Sequence, residues 1–198
     1  MKKWLIPVGI IVVLGFIIYS MTAGFYNNAI ELKNNAETAW SNVESSYQRR
    51  NDLIGNLVKT VQGAADFERS TLTEVIEARA KATSINVDAD NLSPAQLQQF
   101  QEAQSQVSSA LSRLLVTVER YPQLTATQSF RDLQAQLEGT ENRINVARNR
   151  YNEAVNAFNT KIQKFPNNLF AGMFGFEKMT RFQADAGAEN APEVEFDF

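Results

Sequence analysis

Six charged side chains stand on or beside positions that are otherwise apolar. Arg50 and Glu68 fall on or near one stripe, Glu141 and Arg148 lie on another, and Arg79 and Glu119 flank apolar positions. Three chemistries fit such residues. Opposite charges on neighbouring helices can pair at a seam and fix its register, at some cost in stability. Carboxylates from several helices can cluster around a metal, as in di-iron bundles, but those sites use a Glu-x-x-His repeat and this chain contains no histidine. Two carboxylates can hydrolyse a glycosidic bond, yet no cleft or substrate motif accompanies these. The residues therefore read as structural polar positions: Arg50, Glu68, Glu119, Glu141 and Arg148. No catalytic residue, cofactor site or metal site is expected.

Composition narrows the chemistry further. Histidine and cysteine are both absent from the 198 residues. That removes Ser-His and Cys-His nucleophiles, imidazole proton transfer, thiolate or imidazole metal ligation and any disulfide. The net charge of −3 offers no basic surface of the kind nucleic acid requires, so no nucleic-acid partner is expected. Only nine glycines and five prolines occur, too few for a turn-rich all-β fold.

The elements that must position the charges are helices. Ala36, Trp40, Val43, Tyr47, Arg50, Ile54, Leu57 and Val61 recur every three or four residues, so they share one helical face that partner helices must cover. No proline interrupts Tyr26 to Thr83, and the stripe runs on through Ala65, Leu72, Val75 and Ile76. Gly55 and Gly63 each weaken a helix by about 1 kcal/mol relative to alanine, but the register is continuous across Gly55 and predicts a bend at most. The Asp/Asn/Ser cluster in Ser84–Pro94 breaks the pattern. Ser93 followed by Pro94 is an N-cap with proline at the first helical position.

A second long helix carries Leu97, Phe100, Val107, Leu111, Leu114, Val118 and Tyr121, and Pro122 stops it. Thr125 with Gln128 resembles a capping box opening a last helix. That helix shows Phe130, Leu133, Leu137, Ile144, Tyr151, Val155, Phe158, Ile162 and Phe165. Such heptad-like spacing predicts long helices packed side by side.

Ahead of the helices, Met1-Lys2-Lys3 precedes an apolar run, and no charge occurs from Trp4 to Ala29. Trp4 to Met21 reaches the ~17–20 residues that cross a bilayer, with Trp4 and Tyr19 at the ends where interfacial aromatics belong. Ser20-Met21-Thr22 is a poor signal-peptidase site, so an uncleaved anchor is expected. The lysines place the N-terminus in the cytoplasm and the rest of the chain outside it.

At these residues the sequence resembles the LemA family. The matching segments are NNAETAWSNVE, RRNDLIGNLVKTVQG, the ERYPQL link, ENRINVARNRYNEAVNAFN and FPNNLFAGMFGF, in that order. The family typically has proline where Gly55 sits. The resemblance implies a bacterial single-pass protein of the inner membrane with an all-helical domain, and it implies no enzymatic chemistry.

The expected fold is all-α. A membrane anchor over residues 1–25 precedes a LemA-like antiparallel bundle over 26–182 and a flexible acidic tail over 183–198. The continuous register favours three long helices running out, back and out. The apolar segment Asn167–Phe182 would then lie far from the membrane. A reversal near Gly55 would instead give four helices and return that segment to the bilayer. The tail ends Val194-Glu195-Phe196-Asp197-Phe198, an alternation that suits capture as an added β-strand by a PDZ-like domain or a membrane protease; Val194, Phe196 and Phe198 are the candidate partner-binding residues, against the plainer reading of a tail with incidental phenylalanines. The functional expectation is a non-enzymatic scaffold or adaptor of the cell envelope, in contact with the lipid bilayer and other envelope proteins. The alternative is a structural or membrane-organising protein that self-associates as a homo-oligomer.

Overall fold

The computed structural model describes residues 4–63, 69–87 and 92–183. Every regular element among them is helical: α1 (Leu5–Gln62), α2 (Arg69–Ser84), α3 (Pro94–Val118), α4 (Pro122–Thr125), α5 (Gln128–Gln163) and α6 (Asn167–Phe174). The all-α expectation holds.

The framework is one long hairpin. α1 and α5 run antiparallel, because ascending residues of one meet descending residues of the other. Phe25 shares a cluster with Phe158, Trp40 meets Tyr151, and Leu53 shares a cluster with Leu137. α3 lies parallel to α1 in the groove between them, with Phe100 against Tyr47 and Val107, Leu111 and Leu114 beside Ile54 and Leu57. α3 has 25 residues, about 37 Å at 1.5 Å per residue, too short to cover the whole hairpin. α2 returns beside its distal end, joined to α3 by Glu74–Arg113 at 2.9 Å and by Lys81 donating to Gln106 at 3.0 Å.

This departs from the three-helix expectation. The chain reverses after Gln62, not at Gly55, and gives four helices in an α1-out, α2-back, α3-out, α5-back order. Gly63 caps α1, where loss of a side chain and high backbone entropy make ending cheap. Leu72 and Val75 are buried, but back against the Ile54–Val61 part of α1. A stripe that re-enters the same core after a short reversal reads in sequence as one uninterrupted helix. Ile76, assigned to that stripe, is exposed.

Local signals are realised at the other junctions. Ser93 accepts from the Gln96 N–H while the Gln96 side chain accepts from the Ser93 N–H, with Pro94 at the first turn. The cap of α5 is Thr127, which accepts from Phe130, and not Thr125, which sits in the short α4. Phe165, counted on the last stripe, is exposed beyond the end of α5.

The four-helix order also corrects the position of Asn167–Phe182. α5 runs back to the level of Phe25, so α6 docks against α1 where the apolar run ends. Phe170 and Phe176 pack on Phe25 with ring centroids 5.8 and 5.9 Å away, and Phe174 meets Tyr26 at 5.0 Å. Gly175 then adopts a left-handed φ of 71°, a conformation that glycine takes without a Cβ penalty. It turns the chain into an extended strap, 176–183, that climbs back along α5. α6 and the strap thus supply the third layer over the part of the hairpin that α3 leaves bare.

Candidate functional site

Among the described residues Arg50 is the one charged side chain of the fully buried large residues, at 2% exposure. It sits between the aromatic cluster of Trp40, Tyr47, Phe100 and Tyr151 and the aliphatic cluster of Ile54, Leu57, Val107 and Leu114. Its guanidinium lies over the Tyr47 ring at 4.9 Å. Nη1 donates to Glu141 Oε1 at 2.9 Å and to Ser108 Oγ at 3.1 Å. Nη2 donates to the side-chain Oε1 of Gln104 and to its backbone carbonyl. One residue of α1 is thereby tied to α3 and α5 together.

The chemistry available here is positional. Arginine has no lone pair and stays protonated, so it supplies no acid or base. Its planar fork instead satisfies several acceptors in fixed directions. A one-turn slip of any of the three helices would strand a buried charge, which makes the knot a register lock.

The remaining polar candidates do not join it. Glu119 is exposed at the C-terminal cap of α3. Arg148 lies over the Phe182 ring at 4.8 Å and donates to the Gln183 carbonyl. Arg79 donates from Nε to the Asn51 carbonyl of α1 at 2.7 Å. Glu68, like the tail residues Val194, Phe196 and Phe198, lies outside the described residues. Among the described residues no three carboxylates converge as metal ligands would.

A feature that residue-type reasoning missed is the clasp on the strap. Asn159 donates to the Met179 carbonyl at 2.8 Å and accepts from the Met179 N–H at 2.9 Å. Asn152 does the same for Phe182, at 3.1 and 2.9 Å. Each side-chain amide thus stands in for the backbone of a neighbouring strand. The signal was present as two asparagines seven residues apart, two turns on one face of α5. Between them, the Tyr151 hydroxyl donates to the Thr180 carbonyl at 2.8 Å, and burial pushes its phenol from 10.0 up to about 12. Thr180 donates in turn to the Leu92 carbonyl at 2.9 Å, so the strap bridges α5 to the chain entering α3.

On the flank that α3 does not cover, α1 and α5 leave an open groove of about 800 Å³. Asn42, Arg49 and Asp52 line one wall and Asn142, Arg143 and Arg150 the other. It is a shallow, open surface that carries three guanidinium groups, those of Arg49, Arg143 and Arg150.

Comparison with known proteins agrees with this architecture. The chain is 27% identical over 179 residues to the magnetosome proteins MamQ 2 and MamQ 1 of Paramagnetospirillum magneticum, covering 80% of this chain and 64% of theirs. It therefore spans just under two thirds of the length of these relatives. It is 26% identical over 168 residues to protein LemA of Metamycoplasma hominis, covering 85% of this chain and 73% of that protein. The LemA family model matches residues 39–196, from the Trp40 core through α5, α6 and the strap, and the chain belongs to the LemA family.

Proposed function

We propose that this protein is a membrane-anchored, non-enzymatic helical scaffold of the bacterial envelope that works through protein contacts. The observation that carries the reading is α1 itself. It runs without a break from an apolar segment long enough to cross a bilayer into the Trp40–Val61 core of the bundle. The anchor and the interaction domain are therefore one rigid piece. The buried and half-buried polar groups support the same reading, since Arg50, Tyr151, Asn152 and Asn159 are all engaged in holding helices and strap together. The α1/α5 groove, with Arg49, Arg143 and Arg150, is the surface offered to a partner carrying acidic or hydrogen-bonding groups.

A photocrosslinking residue at Asn142, in the full chain at native abundance, tests this. Adducts to other envelope proteins that vanish in Arg49→Glu/Arg143→Glu support the scaffold. A ladder in multiples of the 22.2 kDa chain supports the alternative, self-association through the same groove. Absence of both overturns the reading. For sidedness, Lys2 and Lys3 favour a cytoplasmic N-terminus and an external bundle. Reporter fusions after Phe198, one active only outside the cytoplasm and one only inside, decide it.

A further inference from the structure

Leu169 and Met173 stand four residues apart on the side of α6 turned away from the bundle, with Phe165 just ahead of the helix, and the three are 64%, 65% and 81% exposed. The opposite side of α6 is committed, through Phe170, Ala171 and Phe174, to α1 at Phe25 and Tyr26. An amphipathic helix that packs one apolar side and bares another needs a second apolar phase. The place of α6 says which. From Leu5, the stretch to Gly24 measures about 30 Å, the thickness of a bilayer's hydrocarbon core. Phe25 and Tyr26 therefore stand at the level where hydrocarbon gives way to headgroups, and α6 is fastened at that level. The bare residues of the span, Leu5 to Met21, and those of α6 lie on the same end of the molecule.

Charge fits the same surface. Between residues 161 and 183 the chain carries Lys161, Lys164, Lys178 and Arg181 against the single carboxylate of Glu177. Lys164, Lys178 and Arg181 share one shallow surface beside the end of α5. Cations flanking an apolar helix are what an anionic leaflet attracts.

We infer that α6 is a second membrane contact: Phe165, Leu169 and Met173 lie in the headgroup–acyl boundary of the leaflet from which α1 emerges, with Lys161, Lys164 and Lys178 against anionic headgroups. This rests on the reading that α1 crosses the bilayer. The bundle is then held at two points, by the span and by α6, and its orientation over the membrane is fixed.

The chain has no cysteine, so single cysteines can carry a nitroxide without background. Full-length Met173→Cys, Ile11→Cys and Val146→Cys would be placed in vesicles of phosphatidylcholine with 30% phosphatidylglycerol. Spin relaxation by oxygen and by a water-soluble nickel chelate then reports depth. The expected result is an oxygen-to-nickel accessibility ratio at 173 several-fold above that at 146 and below that at 11. The charge reversals Lys161→Glu/Lys164→Glu/Lys178→Glu should lower it toward the value at 146. Equal ratios at 173 and 146, with 11 in hydrocarbon, overturn the inference while leaving the anchor intact. A label at 173 shielded from both reagents and dipole-coupled to another label also overturns it, in favour of a second copy of the chain. Water-like behaviour at 11 removes the anchor and the inference with it.

Discussion

Arg50 and Glu141 form a lopsided ion pair: they meet at 2.9 Å, yet the arginine is buried at 2% while the glutamate side chain is 43% exposed. The two partners are therefore not equivalent. Deleting the glutamate leaves a cation in the core, whereas deleting the arginine leaves a carboxylate that water can solvate.

The first prediction follows from that asymmetry. Glu141→Ala should destabilise by about 2–3 kcal/mol, under the usual cost of orphaning a buried charge because Gln104 and Ser108 still bind the guanidinium. Arg50→Met, which fills the same space, should cost less, about 1–2 kcal/mol, chiefly for the buried Gln104 oxygen left without its donor. Urea unfolding followed by Trp40 fluorescence measures both. Losses in the reverse order would mean that the pair does not lock the seam.

Gly55 supplies the second. Its added Cβ would sit 3.5 Å from the Arg79 guanidinium, an ordinary contact, so Gly55→Ala should raise stability by about 0.5–1 kcal/mol through helix propensity. Proline in a helix interior ordinarily costs about 3 kcal/mol or more, partly because it frees the carbonyl four residues earlier. Here that carbonyl belongs to Asn51 and already accepts from Arg79. Gly55→Pro should therefore be tolerated far better than Ser45→Pro on the exposed side of the same helix. Thermal unfolding curves of the two variants settle the comparison, and similar large losses would refute the compensation.

The asparagine clasp gives a local prediction. Asn152→Ala/Asn159→Ala removes four hydrogen bonds, each contributing about 0.5–1.5 kcal/mol, and leaves the backbone groups of Met179 and Phe182 without these partners on α5. In amide hydrogen exchange the strap, 176–183, should lose its protection while the α1/α5 core around Val43 and Val155 keeps its own. Unchanged protection in the strap would show that Phe182 packing and the Tyr151–Thr180–Leu92 bonds hold it without the asparagines.

Tyr151 gives the pH dependence. In the unfolded chain its phenol ionises near its ordinary value of 10.0, and in the fold near 12. Between those values the unfolded state has released a proton that the folded state retains, so stability falls as pH rises. The contribution is intact below pH 10 and lost progressively from there to about 12. Tyr151→Phe should be less stable near neutrality by about 1 kcal/mol, from the lost bond to Thr180, yet show a shallower decline above pH 10. Parallel curves for the two proteins would contradict the assignment.

The helical core was legible because its spacing is strong. Ala36, Trp40, Val43, Tyr47, Ile54, Leu57 and Val61 are all buried, and the Ser93–Pro94 cap lies where the residue types require. The reversal after Gln62 was not legible, since Leu72 and Val75 continue the period of a helix they do not belong to. Only tertiary packing distinguishes a stripe that goes on from one that comes back. For the polar residues, type identified Arg50 and Glu141 but not their meeting, which depends on the antiparallel register of α1 and α5. Asn152 and Asn159 escaped because an amide that mimics backbone needs a strap to bind, and the strap is visible only once Gly175 has turned the chain.

The unbroken course of α1 has a mechanical consequence. From Phe25 to Gln62 it is a stiff arm of about 57 Å with no joint between the apolar run and the far end of the bundle. A change of about 20° in the tilt of its lower part, a normal range for a spanning helix, would carry the tip sideways by roughly 20 Å. On the proposed reading, thickness or curvature of the lipid beneath would thereby be translated into displacement of the far end of the bundle, as a mast transmits the roll of a hull.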